Sequence, residues 1–494
     1  MKCINNIKLI LLSLILLTGC TGDFEEINVD ENSPTEADSG TLLPSSIFEP
    51  LNSHLNVQLK LTDQIMQYTV YRNQNELDAY DFASGSEIFS SFWDAAYKGI
   101  RDSNASIAYG EANGLDAYVG AGKILNAFHL ASLTELFIDV PYSEAAEGLD
   151  NIQPAYDRQQ AIYPEVLNLL KEANTVLAND SEGFVLGGDI LFEGDVSKWR
   201  KMANSLRLRY LLRLSNKGSI NAADEINTIV SNPQEYPIIE SNEEAAIYDF
   251  TGVEPNTSYF SLLTALGGLS PSERFVDKLD GVDPNDDADD DPRLAYFADK
   301  PVDPSVSDGP YVGVKSGTTR EVAQGTGGNA ELFASQFTTK FQDDKDLLDF
   351  VFISYSEVQF ILAEARFKNF ISTSTVKSYY EEAVTANLNY WDITVPNNFL
   401  ARADVKWDGT LENLLNQKWK AMFFNNTLAT WGTHKRTGFP ELIPGPAATS
   451  VTNGVVPTRV FYPISEQSVN SSNYEEASSR IGGDIITAKH WYQE

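Results

Sequence analysis

Cysteine is almost missing from this chain: of 494 residues only Cys3 and Cys20 carry a thiol. Two cysteines at one extreme end cannot build a disulfide framework, so stability has to come from packing. Histidine is nearly as scarce. His54, His129, His434 and His490 stand far apart, with no HExxH or paired spacing, which leaves a transition-metal site without ligands. Positive charge is in deficit as well, with 36 basic against 70 acidic side chains and a formal net charge of −34. Such a field repels nucleic acid and anionic headgroups and makes polyphosphate ligands poor candidates. A serine-nucleophile elbow, G-x-S-x-G, does not occur. The stretch "YVGAGKIL" only imitates a phosphate loop, because Ala117 stands at the first glycine of the motif and Ile124 replaces the hydroxyl after Lys123. It reads as a helix start with small residues.

A long apolar run occurs once. Behind Lys2 and Lys8, "IKLILLSLILLTG" is apolar for about ten residues, short of the roughly twenty that span a bilayer. Residues 1–19 therefore read as an export signal. Leu17, Thr18 and Gly19 lead into Cys20 in a manner that resembles the lipobox of bacterial lipoproteins, so Cys20 is expected to carry lipid and become the new N-terminus. Cys3 then leaves with the signal, and the mature chain has no disulfide although it is exported. Residues 20–40 are acidic, rich in turn formers and almost without apolar periodicity, which describes a tether.

Residues 41–494 read as one folded unit, and with 42% hydrophobic and 11% aromatic residues there is ample material for its core. Helical patterns run from Leu42 to Tyr71, Ile88 to Tyr109, Ala117 to Leu136 and Tyr156 to Leu177. The last keeps Tyr163, Val166, Leu167, Leu170, Ala173 and Leu177 on one stripe. Ser197 to Ser215 is apolar on more than one side behind a cap at Asp195. Phe352 to Phe370 and Thr375 to Trp391 repeat the helix-turn-helix plan, and Leu411 to Trp431 adds another helix. Helix pairs recurring at thirty to forty residues predict a mainly α fold, a tetratricopeptide-like superhelix. Residues 232–348 interrupt it with short strands such as "AAIYDF", glycine and proline, and the acidic loop "DGVDPNDDADDDPR". This is an irregular, loop-rich insert.

Two features suggest ligands. Asp283, Asn285, Asp287, Asp289 and Asp291 are hard oxygen donors within a span that could wrap a calcium ion, with Asp283, Asp287 and Asp289 as the metal candidates. Ala288 stands where an EF-hand needs glycine, and Leu294 where its bidentate glutamate belongs, so a solvated acidic loop is the plainer reading. Aromatics interleaved with amides and acids are the second feature, since sugar rings stack on aromatic faces while polar side chains take their hydroxyls. Tyr71, Arg72, Asn73, Asn75, Asp78, Tyr80, Phe82 and Trp93 form one such mixture, and Asn256, Tyr259 and Phe260 another. For Phe89, Phe92 and Trp93 the alternative is the core of a helix. Trp199, Trp419 and Trp431 have apolar neighbours and read as core; Arg207, Arg209 and Arg213 read as partners of acids between helices.

Several stretches in order resemble one family: "FEEINVDENSPT", "LTELFIDVPYSEAAEG", "ILFEGDVSKWRKMANSLRLRYLLRLS", "DPRLAYF", "FISYSEVQFILAEA", "NQKWKAMFFNNTLATWGTHKRTGFPEL" and "RVFYPISEQSVN". The chain is similar to the SusD/RagB-like nutrient-binding lipoproteins of Bacteroidetes outer membranes, in their second SusD-like subgroup. That resemblance implies a non-enzymatic protein, lipid-anchored on the outer face of the outer membrane. It implies a SusC-like TonB-dependent transporter as partner, to which captured oligosaccharides or peptides are handed. It also implies a pocket between the first-helix loop and the insert, which with the aromatic argument selects Tyr71, Asn73, Asp78, Tyr80 and Tyr259 as ligand-binding residues. A surface-anchored glycan hydrolase, and a structural or adhesive lipoprotein, are the competing functions. Asp23, Glu25 and Glu26 resemble an acidic signal for display on the cell surface.

Overall fold

The computed structural model describes residues 39–494 apart from 74–75, 146–150, 180–185, 254–255, 258–267, 282–285, 304, 306–308 and 326–329. The signal, residues 20–38 of the tether with Cys20, Tyr259 and Asp283 lie outside the described residues, while residues 39 and 40, expected as tether, already belong to the first helix. Ser39–Glu494 clusters as one compact unit.

The chain enters on α1 (Ser39–Val57), widens into a π turn over Gln58–Thr62 and a last short turn, Asp63–Ile65, then forms β1 (Thr69–Tyr71). The helix predicted through to Tyr71 thus stops early, because β1 pairs with a strand of the insert. Next come α2 (Ser86–Asn113) and α3 (Asp116–Phe137), then the two-residue strands β2 (Val140–Pro141) and β3 (Tyr156–Asp157), α4 (Gln159–Ala178), α5 (Val196–Arg213) and α6 (Ala222–Ser231). Consecutive helices pack as antiparallel neighbours, the tetratricopeptide-like plan.

Helix α3 is the axis of this half. Nearly every residue from Ala117 to Phe137 is buried. Its glycines explain the phosphate-loop imitation: a Cβ on Gly120 would lie 2.3 Å from Leu177, and one on Gly122 would lie 2.7 Å from Ile107. Both positions let neighbouring helices approach closely, and Lys123 turns outward to Glu172 at 2.6 Å. Helix α5 begins as its sequence demands, with the Asp195 carboxylate accepting from the Ser197 and Lys198 amides. Three of its four arginines reach acids on other elements: Arg207 to Glu225, Arg209 to Glu357 and Arg213 to Glu135.

The insert contributes β4 (Ala246–Tyr248), β5 (Leu269–Pro271), α7 (Glu273–Leu279), α8 (Pro292–Phe297), β6 (Ala298–Asp299), α9 (Arg320–Gln324) and β7 (Gln336–Phe337). Its strands pair with distant segments: β1 with β5, β4 with β8 (Phe350–Ile353), and β6 with β7, all antiparallel. The helical plan resumes in α10 (Tyr355–Phe367) and α11 (Val376–Tyr390), capped by Ser354 and Thr375. The helix predicted over Leu411–Trp431 is two, α12 (Leu411–Ala421) and α13 (Thr427–Thr437). Phe424 takes a positive φ of 54°, and the Asn426 side chain both caps α13 and donates to the Val351 and Phe352 carbonyls. That tertiary demand breaks the periodic run. Trp199, Trp419 and Trp431 are fully buried, as their apolar neighbours predict. Among the described residues no helix is long and apolar enough to cross a membrane.

Candidate ligand-binding groove

The loop after β1 is built into the insert from its first residue. Tyr71 is in register with Leu269, the Arg72 amide donates to the Gly268 carbonyl, and the Arg72 guanidinium donates to Gln336 Oε1 at 2.9 Å. Asn73 Oδ1 accepts from Gln324 Nε2 at 3.2 Å, which ties the loop to α9. Asp78 Oδ2 accepts the Gly317 amide at 2.6 Å, and the Gly317 carbonyl accepts the Ala447 amide at 2.9 Å. Loop, insert and C-terminal tail therefore meet at Gly317. Its φ of +65° and its contact with Gly445, only 2.5 Å from where a Cβ would stand, call for glycine.

Beside that junction lies a groove of about 420 Å³ walled by three segments distant in sequence. One wall is α7, with Glu273, Arg274, Asp277 and Lys278; a second is Lys315 with Ser316; the third is the turn from Ile443 to Pro446. Gln67 also lines it, held by its neighbours. The Met66 carbonyl accepts from Trp419 Nε1 at 2.9 Å, while Tyr68 donates to the Trp419 carbonyl at 2.6 Å and stacks on its indole at 4.7 Å. The Gln67 side chain then donates to the Ile443 carbonyl at 2.6 Å, joining the helical scaffold to the tail.

Arg274, Lys278 and Lys315 bring three cations to this groove in a strongly acidic chain, and none of them makes an ion pair with a described carboxylate. Burial lowers the Arg274 guanidinium, with Glu441 and Asp277 acting the other way. Burial, then Glu273 and Asp280, raise the Asp277 carboxyl. Ser316 Oγ is shielded from solvent and has no hydrogen-bond partner. A rigid helical floor with loop-borne polar groups above an apolar edge, Ile443 being 68% exposed, is the usual form of a small-ligand site.

Of the expected site residues that are described, Tyr71, Asn73, Asp78 and Tyr80, none lines this groove. Tyr71 is 5% exposed, and Tyr80 and Asp78 are 2% exposed. The two rings belong to the main core and pack among its side chains. Burial pushes the Asp78 carboxyl up to about 8, against the Gly317 amide that favours its charged form. Asn73 is half-buried and engaged with α9. Of the second aromatic cluster only Asn256 is described; it donates to the Tyr248 hydroxyl at 2.8 Å. The lining is not visible in the sequence because the charged face of α7 is completed only by Lys315, Ser316 and the Ile443 turn, which lie far along the chain. The one signal was an isolated lysine, Lys315, in an acidic insert.

Of the calcium candidates, Asp283 lies outside the described residues, while Asp287 and Asp289 share one 3-10 turn. Asp287 pairs with Lys300 at 2.8 Å, and Asp291 turns inward to pair with Arg293 at 2.7 Å. Asp290, raised to about 6 by burial, accepts the Gly281 amide. Among the described residues no three acid, histidine or cysteine side chains gather as a metal site.

Comparison with known proteins agrees with this architecture. Residues 31–463 match the profile of the second SusD-like family, described as "starch-binding associating with outer membrane". Among solved structures, a chitin-binding protein is 25% identical with a TM-score of 0.77, over 92% of this chain and 100% of the other. A SusD homologue from Bacteroides fragilis is 22% identical with a TM-score of 0.74, over 93% and 100%. A SusD-like protein from Bacteroides thetaiotaomicron is 20% identical with a TM-score of 0.76, over 92% and 98%. No curated protein matches significantly. A family match over most of the chain, on a helical scaffold of the same shape as these structures, places it: the chain belongs to the SusD-like family of glycan-binding proteins associated with the outer membrane.

Proposed function

We propose that this protein is a cell-surface capture protein, lipid-anchored through Cys20, that binds an oligosaccharide in the groove between α7, Lys315 and the Ile443 turn and passes it to a SusC-like TonB-dependent transporter. It acts by binding and cuts no bond. The observation that carries the reading is the convergence of loop, insert and tail on one groove at Gly317, in a chain matched to the family over residues 31–463. Starch and chitin oligosaccharides are the first ligands to test, because the family description names starch and a structural neighbour is called chitin-binding.

The charges of the groove favour a second reading. Arg274, Lys278 and Lys315 alternate with Glu273 and Asp277, an arrangement suited to the two termini of a short peptide. Titrating the full chain in mild detergent with maltohexaose, chitohexaose and a mixed hexapeptide separates the two. Binding of a sugar that falls at least threefold in Lys278→Ala/Lys315→Ala supports the glycan reading. Peptide binding alone replaces it, and products from any of the three would make the protein an enzyme. Recovery of a large β-barrel in equal amount from membranes tests the transporter partner.

A further inference from the structure

A second groove, of about 460 Å³, lies on the helical half and shares no lining residue with the first. One side is the exposed face of α2, where Asp94, Tyr97, Lys98 and Arg101 follow the i, i+3, i+4, i+7 spacing that puts four side chains in one row. The opposite side is Pro141, Pro154 and Glu466. Trp93 closes the floor.

The aromatic part of this groove is held rigidly. Trp93 is wedged against Phe137 at 4.9 Å and 87°, against Tyr97 at 5.0 Å, and within reach of Tyr156 and Tyr462. Tyr97 is half-buried, and its hydroxyl donates to the Pro141 carbonyl at 2.6 Å, which fixes the ring across the groove. Glu466 is oriented by the Tyr156 hydroxyl, which donates to Oε2 at 2.6 Å. A ring immobilised in advance loses no rotamer freedom on binding.

Of the polar groups beside that platform, Arg101 pairs with Asp102 and Glu466 accepts from Tyr156, which leaves Asp94 and Lys98. Asp94 and Lys98 are one helical turn apart and feel each other's charge, but neither makes a hydrogen bond or a close ion pair among the described residues. Partial burial raises the Asp94 carboxyl from its ordinary value, with the Lys98 charge acting the other way. A neutral, hydroxyl-rich ring needs this combination: an apolar face to cover its C–H groups, and an acceptor and a donor on either side for its hydroxyls. We propose that this groove is a second carbohydrate site, in which one ring of a neutral oligosaccharide lies against Tyr97 and the edge of Trp93 while Asp94, Lys98 and Glu466 hold its hydroxyls.

The ligand class rests on the glycan reading of the first groove, and the test keeps the two apart. The full chain in detergent is titrated calorimetrically with maltotriose, cellotriose, xylotriose and chitotriose, each too short to bridge separate sites. The expected result is two sites per chain for at least one of them. Asp94→Asn/Lys98→Ala, on an exposed helix face, should remove one site or weaken it at least tenfold with the melting temperature unchanged. Lys278→Ala/Lys315→Ala should leave that site intact. A single site that vanishes in Lys278→Ala/Lys315→Ala and is unmoved by Asp94→Asn/Lys98→Ala overturns this inference and spares the first groove. Two sites with neither affected by Asp94→Asn/Lys98→Ala also overturns it. Failure of all four sugars to bind overturns both.

Discussion

Asp78 offers a sharp test of how the loop beneath the first groove is held. Its carboxyl is 2% exposed, and burial pushes it up to about 8, with the Gly317 amide acting the other way. A carboxyl raised in the folded state leaves full stability below the unfolded value, near 4, and loses it as pH climbs through about 8, because the unfolded chain ionises first. Each pH unit inside that window costs about 1.4 kcal/mol, so the ceiling is about 5 kcal/mol. In Asp78→Asn the amide oxygen still accepts the Gly317 N–H, whose present length is 2.6 Å, and the charge is gone. The variant should gain on the parent by about 3 kcal/mol between pH 5 and pH 7. Asp63 and Asp349, also raised to about 8 by burial, are common to both proteins and cancel in the difference. Urea unfolding of both at pH 5, 6, 7 and 8 measures it, with sugar titration as a control that should not change. Parallel stability curves, or a variant weaker than the parent at pH 8, would refute a protonated Asp78 clamp.

Arg209→Met strands the Glu357 carboxylate, 0% exposed with Lys418 left at 4.0 Å, and should cost about 3 to 5 kcal/mol in urea unfolding. Gly120→Ala drives a methyl to 2.3 Å from Leu177 and should lower stability by about 1 to 3 kcal/mol by the same measurement, while an exposed Gly218→Ala leaves it nearly unchanged. Cys20→Ser should abolish labelling by radioactive palmitate and move the protein from the membrane to the soluble fraction; retention in the membrane would refute the anchor. Neutralising Asp23, Glu25 and Glu26 should keep the lipid but shield the protein from protease added to whole cells; unchanged cleavage would show that surface display is specified elsewhere.

The helical half is legible in the sequence because its signals are local. The stripe from Tyr163 to Leu177 lies on α4, Asp195 caps α5, and Arg207, Arg209 and Arg213 find their acids. The reading failed where a distant partner outbids the local pattern. The single helix expected over Leu411–Trp431 is split because Asn426 serves carbonyls of β8, and the helix drawn to Tyr71 gives way to the β1–β5 pair. Tyr71 and Tyr80 sit in polar company along the chain, a pattern equally fit for a binding surface or for rings turned inward. The direction of Tyr71 is set by its pairing with Leu269, nearly two hundred positions along the chain.

Alternation, capping and turn chemistry act over about four residues, so the amino-acid order by itself determined the helix pairs, their starts and the irregular character of the insert. Its ordered motifs were enough to carry the family as well. The grooves belong to the tertiary structure alone. The first depends on Gln67 meeting Ile443 across 376 positions and on Asp78 meeting Gly317 across 239. The second depends on α2 facing Glu466 and two prolines from separate turns. No periodicity encodes such meetings; they follow from closing one core around α3, which leaves clefts where irregular segments cannot fill the space between packed helices.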